Sequence, residues 1–234
     1  MSVRPKISIV DYGVGNLHSL NKAVKLFTDN AVITEDKDTI ASSDGVILPG
    51  VGAFEAGMSG LKVRNLIDTV KNFAAAGRPM LGICLGAQLM LSKGFEFGEF
   101  DGLGIVPGKV THFPELPEKE KIPHIGWNHI YLVRNLMPRA SAVPRTERIS
   151  NEVNSPWENT ILDGIPENAN VYFVHSYILV PDDPSNILAL ANYGGYEFCA
   201  AIRKGNIYGC QFHPEKSGPI GLNIIKNFIE KIIK

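Results

Sequence analysis

Two short stretches of this chain carry side chains able to do chemistry together. The first is Gly82-Ile83-Cys84-Leu85-Gly86, set between the apolar run that begins at Pro79 and a second apolar run with helical spacing that ends at Leu91. Cys84 therefore sits where a strand turns sharply into a helix, a nucleophile elbow whose flanking glycines let neighbouring backbone approach closely. The tip side chain stands above the first turn of the helix, where unpaired N–H groups and the positive dipole end favour an anion. A thiol so placed ionises more readily, and the thiolate is the reactive form. Taken alone, Cys84 also fits a buried core thiol, the commonest use of free cysteine.

The second stretch is His213-Pro214-Glu215. A cysteine nucleophile needs a base, usually a histidine oriented by a third group. Of the six histidines, His18, His112, His124, His129, His175 and His213, only His213 follows an apolar run at a strand's carboxyl end with a carboxylate two residues on. Pro214 disfavours helical geometry at His213 and keeps the backbone extended. Residues i and i+2 of an extended chain point the same way, so Glu215 reaches the imidazole, sets its tautomer and stabilises its charged form. An isolated His-Pro-Glu reads equally as a sheet-end histidine beside a surface acid; combined with the elbow it reads as base and orienting acid. A third stretch, Pro49-Gly50-Val51-Gly52, gives an exposed, flexible backbone at another strand end, either a plain tight turn or part of a ligand site.

The elements that must hold these groups follow from periodicity. Ile7 to Val10, Ala31 to Thr34, Asp44 to Leu48 and the strand opened by Pro79 are short apolar runs. Between them lie helical patterns over Asn16 to Phe27, Ala53 to Leu61 and Val63 to Ala76, the last stopped by Gly77. Strand alternating with helix predicts an α/β fold, a mainly parallel doubly wound sheet flanked by helices, with Cys84 and the Gly50 loop on one edge. Beyond the elbow, Glu96 to Gly104 reads as loop, Ile105-Val106 and Lys109 to Thr111 as a short hairpin, and Pro114 to Lys121 as solvated surface. A strand is expected over Gly126 to Val133. Closely spaced strands over Val171 to Val180, Ile187 to Asn192, Glu197 to Arg203 and Ile207 to Phe212 predict a smaller antiparallel extension. Ser217 to Ile233 closes the chain as a helix.

The whole, residues 1–234, reads as one domain without internal repeats, its polar, irregular stretch Arg134 to Thr160 being an excursion from the fold. Composition is that of a soluble globular chain, 44% hydrophobic and 20% charged with net charge −1, which speaks against a nucleic-acid patch. No apolar run approaches membrane length, and the N-terminus has no signal-peptide core. Three irregularly spaced cysteines offer neither a disulfide framework nor a Cys-x-x-Cys metal pair. These features place the chain in the cytoplasm with reduced thiols and call for no metal or cofactor.

The three stretches, in this order, resemble the class I glutamine amidotransferases with a Cys-His-Glu triad. Asp11-Tyr12-Gly13-Val14-Gly15-Asn16, Pro49 to Phe54, Ile122 to Asn128 and Phe173 to Tyr177 extend the resemblance over nearly the whole chain. Within that class it is closest to the glutaminase subunits of imidazole glycerol phosphate synthase. The resemblance implies that Cys84 attacks the side-chain amide of L-glutamine, that His213 moves the proton with Glu215 behind it, and that the N–H groups of Val51 and Leu85 hold the oxyanion. It assigns Gly52, Gln88, Glu96, His175, Ser176 and Tyr177 to the glutamine pocket. Gln88 lies one helical turn after Cys84 on the same face, whereas Glu96 fits a solvated loop acid as well.

The resemblance further implies a heterodimer in which a synthase (cyclase) subunit receives ammonia through a tunnel, with Asn16, Trp127 and Lys216 near the interface; Trp127 fits ordinary core packing equally. Residues 134–160 make a longer segment than the family usually carries there. A paralogous subunit feeding ammonia to another acceptor, such as an enzyme amidating a surface sugar, is therefore the alternative partner reading. A stand-alone cysteine hydrolase and a non-catalytic binding module with a relict site are the competing classes.

Overall fold

The computed structural model describes residues 4–117, 120–133 and 157–233. Its first half alternates strand and helix: β1 (Ile7–Val10), α1 (Leu17–Val24), β2 (Ala31–Thr34), α2 (Lys37–Ala41), β3 (Gly45–Leu48), α3 (Phe54–Val63), α4 (Ile67–Ala75), β4 (Met80–Ile83) and α5 (Leu85–Leu89). Its second half is nearly all strand: β5 (Lys93–Gly94), β6 (Phe100–Asp101), β7 (Gly108–His112), β8 (His124–Ile130), β9 (Ala169–His175), β10 (Tyr177–Pro181), β11 (Ile187–Tyr193), β12 (Tyr196–Lys204) and β13 (Ile207–Cys210). Helix α6 (Gly218–Asn227) and a closing π-type turn, Phe228–Ile232, complete it.

The large sheet runs β2-β1-β3-β4-β13-β12-β10-β7-β5-β6, with β11 on β12. Its first five strands are parallel. Four of them, β1, β3, β4 and β13, are buried along their whole length, the signature of strands covered on both faces, whereas edge strand β2 is half exposed. Alternation of side chains makes two cores from one sheet. Ile7, Ile9, Ile47, Leu81 and Ile83 pack with Leu20 and Val24 of α1 and with Ile224 and Phe228 near the C-terminus. Val10, Val46, Leu48 and Met80 face the other way, onto Ile40, Phe54, Leu61, Val70 and Phe73 of α2 to α4. This is the doubly wound α/β arrangement that the sequence predicts. Strand β13 is its seam, parallel to β4 on one side and antiparallel to β12 on the other. Strands β8 and β9 form a separate antiparallel pair.

Four expectations need correction. Gly108–His112 makes no hairpin with Ile105-Val106; it pairs antiparallel with β10, Lys109 opposite Val180 and Thr111 opposite Ile178, while Val106 is a buried loop residue tied through its N–H to the Met90 carbonyl (3.0 Å). The stretch 96–104 includes β6, paired with β5. Val63 ends α3 instead of opening the next helix, because Asn65 takes a left-handed conformation (φ 54°) between the two. Leu116 is half buried against the core and not simply solvated. Of the expected excursion, residues 134–156 lie outside the described residues. Its last part belongs to the core: Trp157 is buried and donates its indole N–H to the Leu188 carbonyl at 2.8 Å.

Helix α3 is pressed onto the loop that follows β1. A Cβ on Gly60 would lie 2.2 Å from the Tyr12 carbonyl oxygen, a backbone atom that cannot swing aside. Gly60→Ala is therefore predicted to destabilise the protein by about 2 kcal/mol or more, well beyond an exposed Gly-to-Ala change in a helix, which is favourable. Urea unfolding monitored by circular dichroism measures the loss, and an unchanged midpoint would contradict the packing.

Candidate active site

Strands β3, β4 and β13 are neighbours, and their carboxyl ends carry the Gly50 loop, Cys84 and His213. The Cys84 N–H donates to the Cys210 carbonyl at 2.7 Å, so the ladder continues to the nucleophile itself. There the chain breaks away: Cys84 has φ 52° and ψ −110°, a conformation L residues rarely adopt, and α5 begins at the next residue. The flanking glycines are steric requirements. A Cβ on Gly86 would sit 1.7 Å from the Leu48 carbonyl oxygen, and one on Gly82 2.7 Å from the Ala87 Cα.

His213 is extended (φ −102°, ψ 97°), as the following proline demands. Its Nδ1 lies 2.8 Å from Glu215 Oε1, and both side chains are almost wholly buried. Nδ1 thus carries the proton shared with the carboxylate, and Nε2, without a hydrogen-bond partner, is the nitrogen left for Cys84. Burial alone would depress the imidazole pKa. The interactions with Cys84 and then with Glu215 outweigh it and push the pKa up to about 9.

Cys84 opens into a cavity of about 370 Å³. Val51 and Gly52 line it from the Gly50 loop, Leu85 and Gln88 from α5, and His175, Ser176 and Tyr177 from the β9–β10 turn. Glu96 lines it as well, but not as a free loop acid: its Oε2 accepts the Phe54 N–H at 2.7 Å and caps α3, which lacks a side-chain cap of its own. Two of the expected groups do not converge. The Leu85 N–H donates to the Gly50 carbonyl at 3.3 Å. In a trans peptide the Val51 N–H points opposite to that carbonyl, so Val51 and Leu85 do not offer two N–H groups to one atom in this conformation.

The three interface candidates lie outside the pocket or on its rim. Lys216 lines the cavity and places Nζ 5.8 Å from the centre of the Tyr172 ring. Trp127 stacks edge-on against the same ring, 6.0 Å between centroids, and is 57% exposed, which rules out core packing for it. Asn16 is exposed and caps α1 through its Oδ1, 3.3 Å from the Ser19 N–H.

Two buried polar residues of the site escaped the sequence reading. Gln211, fully buried, sets Nε2 3.8 Å from Cys84 Sγ; its spacing of two from His213 was the available signal. His124, directly opposite His175 in the β8–β9 register, sets Nδ1 3.3 Å from His175 Nε2. His175 Nδ1 in turn donates to the Tyr177 carbonyl (2.8 Å). Burial lowers the pKa of His124 to about 4 and that of His175 to about 3, so both imidazoles are neutral at pH 7.

A cysteine at a strand–helix elbow beside a carboxylate-bound histidine at the end of the next strand is an arrangement that can do nucleophilic, thioester-forming chemistry. The sequence profile of the family Glutamine amidotransferase class-I matches residues 8–232, and the chain belongs to that family. It is 45% identical over 227 residues to imidazole glycerol phosphate synthase subunit HisH 1 of Legionella pneumophila (strain Lens), covering 96% of this chain and 98% of that protein. It is 42% identical over 229 residues to subunit HisH of Geobacter sulfurreducens, with the same coverage. The fold is similar to that of a crystallised glutamine amidotransferase, with TM-score 0.66 and 15% identity over 97% of this chain and 98% of the other.

The buried histidines make stability depend on pH in opposite senses. Unfolded histidine titrates near 6.5. Below that pH the unfolded chain takes up protons that native His124 and His175 refuse until about pH 4 and 3, so stability falls on acidification. The contribution of His213 is full below 6.5 and is lost as pH rises through about 9. The urea midpoint is predicted to drop between pH 7 and pH 5, and to drop less in His124→Asn; equal slopes in the two proteins would count against the buried neutral pair.

Proposed function

We propose that this chain is the glutaminase subunit that hydrolyses L-glutamine to glutamate and ammonia and delivers the ammonia to a cyclase subunit, which forms imidazole glycerol phosphate in histidine biosynthesis. The observation that carries the reading is the buried His213, held by Glu215 at the end of the strand next to that of Cys84, with Cys84 lining a pocket sized for an amino acid, in a chain 45% identical to a HisH subunit.

In this reading Cys84 Sγ, as a thiolate whose proton already rests on His213 Nε2, attacks the carboxamide carbon of glutamine. His213 returns that proton to the departing nitrogen as ammonia leaves, giving a glutamyl thioester. Water then attacks the thioester, His213 takes its proton, and collapse of the intermediate frees glutamate and restores the thiolate beside a protonated His213. Glu215 holds the ring and offsets its charge throughout. The oxyanion needs the Leu85 N–H, now held by the Gly50 carbonyl. Rotation of the Gly50–Val51 peptide releases it and turns the Val51 N–H inward, so the resting conformation is a poor catalyst and one peptide rotation makes it a good one. Gly52, Gln88, Glu96 and the His175–Tyr177 turn hold the substrate.

Trp127 and Lys216 share the Tyr172 ring, and Ile125 beside them is 60% exposed, an apolar surface suited to the cyclase subunit. The loop bearing Asn16 adjoins the Gly50 loop, since a Cβ on Gly15 would lie 3.4 Å from the Gly50 Cα. The partners form a cytoplasmic heterodimer with an enclosed path for ammonia.

Cys84→Ser is predicted to reduce glutamate release by about 10⁴-fold or more while leaving the melting temperature near that of the native chain; retained turnover would sink the reading. Adding the cyclase subunit with its nucleotide ligand raises glutamate release strongly. Absence of stimulation from a chain whose Cys84 still reacts with a glutamine-like electrophile would instead indicate a paralogue serving another acceptor. Turnover declines as pH rises through about 9, where His213 loses its proton. In Glu215→Gln that decline moves to lower pH, because one of the influences holding the imidazole charged is gone.

A further inference from the structure

Gln211 is a wholly buried carboxamide beside the reacting sulfur, and the mechanism above makes no use of it. Its Nε2 lies 3.8 Å from Cys84 Sγ, and its Oε1 accepts Gln88 Nε2 at 3.1 Å. The orientation of this amide is imposed by atoms whose chemistry admits one choice. Gln88 Nε2 also lies 3.2 Å from the Tyr177 carbonyl oxygen, which only accepts. Turning Gln88 round would set its own oxygen against that carbonyl. The atom facing Tyr177 is therefore the nitrogen, and its other N–H goes to Gln211. That contact in turn fixes the Gln211 oxygen toward Gln88 and leaves the NH₂ group toward the sulfur.

The Tyr177 carbonyl is itself held from the other side by His175, through its Nδ1. His175 Nε2 is then an acceptor and takes the His124 Nδ1–H (3.3 Å), and His124 Nε2 faces Asn128 Nδ2 at 3.4 Å. Every member of this run is a neutral donor or acceptor with its direction set by the next. A buried amide with both ends so held has no reason to be polar unless the sulfur needs a donor; an apolar side chain of that size would fill the space without the cost of burying an amide.

We propose that Gln211 is a catalytic residue of this site: its side-chain N–H, aimed at Cys84 Sγ by Gln88 and the Tyr177 carbonyl, stabilises the sulfur as the thiolate that attacks and as the thiolate expelled when the thioester is hydrolysed. The same arrangement occupies both N–H groups of Gln88, so Gln88 meets its ligand with an oxygen and reads an N–H donor. The proposal deepens the glutaminase reading and rests on it for the identity of the substrate, but not for the behaviour of the thiol.

The test uses the full-length chain carrying Gln211→Leu, which deletes the donor, or Gln211→Glu, which is near-isosteric and replaces the donor by an acceptor. Alkylation of Cys84 by iodoacetamide at pH 7, followed on the Cys84 peptide by mass spectrometry, is expected to slow about 10-fold in Gln211→Leu and further in Gln211→Glu, the scale of one hydrogen bond to a charged group. The kcat for glutamate release falls in parallel, while KM stays within about 3-fold of the native value, because a smaller thiolate fraction slows the chemistry without touching the groups that hold the substrate. A residue that merely filled space would leave alkylation at the native rate in either folded variant, and that result overturns the proposal. Should neither variant fold, Gln88→Met decides, because it removes the anchor and leaves Gln211 in place: slowed alkylation supports the role and native-rate alkylation overturns it. Slowed alkylation in the variants of a chain whose native form releases no glutamate would sink the glutaminase reading and leave the role of Gln211 standing.

Discussion

The close approach of α5 to the end of β3 is the constraint on which the site depends. For the helix to start directly after Cys84, its first turn must rest on the Leu48 carbonyl, and only glycine at 86 leaves room. Cys84 must then accept a positive φ, at a cost on the order of 1–3 kcal/mol. Burial of Leu85, Ala87 and Leu89 in the core beneath α3 and α4 offsets that cost. The elbow is thus held by packing on one side and by the Cys84–Cys210 ladder bond on the other. A strained residue persists only where its surroundings leave it no alternative.

Electrostatics divides the buried histidines into two kinds. His213 has a carboxylate and a sulfur as neighbours and keeps its proton well above neutrality. His124 and His175 are buried with neutral hydrogen-bond partners, and for His175 the nearby His213 adds to the effect of burial, so both stay neutral. One kind carries a proton at neutral pH and the other only directs hydrogen bonds, although all three lie within one region of the molecule.

Much of this was legible in the sequence because it is local. The elbow, the extended His-Pro-Glu and the apolar four-residue strands each depend on neighbours a few positions away, and the parallel half of the sheet follows from their alternation with helices. What was not legible depends on distant partners. Gly108–His112 pairs with a strand almost seventy residues later, so nothing beside it distinguishes a hairpin from a long-range ladder. Glu96 caps a helix that begins forty-two residues earlier. The orientation of the Gly50 peptide is set by the Leu85 N–H, which belongs to a helix thirty-five residues later. Trp127 stayed ambiguous because a large aromatic in an alternating strand fits either face; the structure turns it outward.

The seam strand has a further consequence. Cys84 and His213 follow two adjacent strands held in register, Cys210 beside Ile83, so both residues are carried by neighbouring strands of the sheet, which lie about 4.8 Å apart. Loop length does not enter into it. Insertions between the later strands, and any recontouring of the rim around Trp127, can therefore accumulate without detuning the chemistry, much as the teeth of a comb keep their spacing whatever is fixed to its handle. A fold wired in this way can exchange one acceptor for another and still deliver the same molecule.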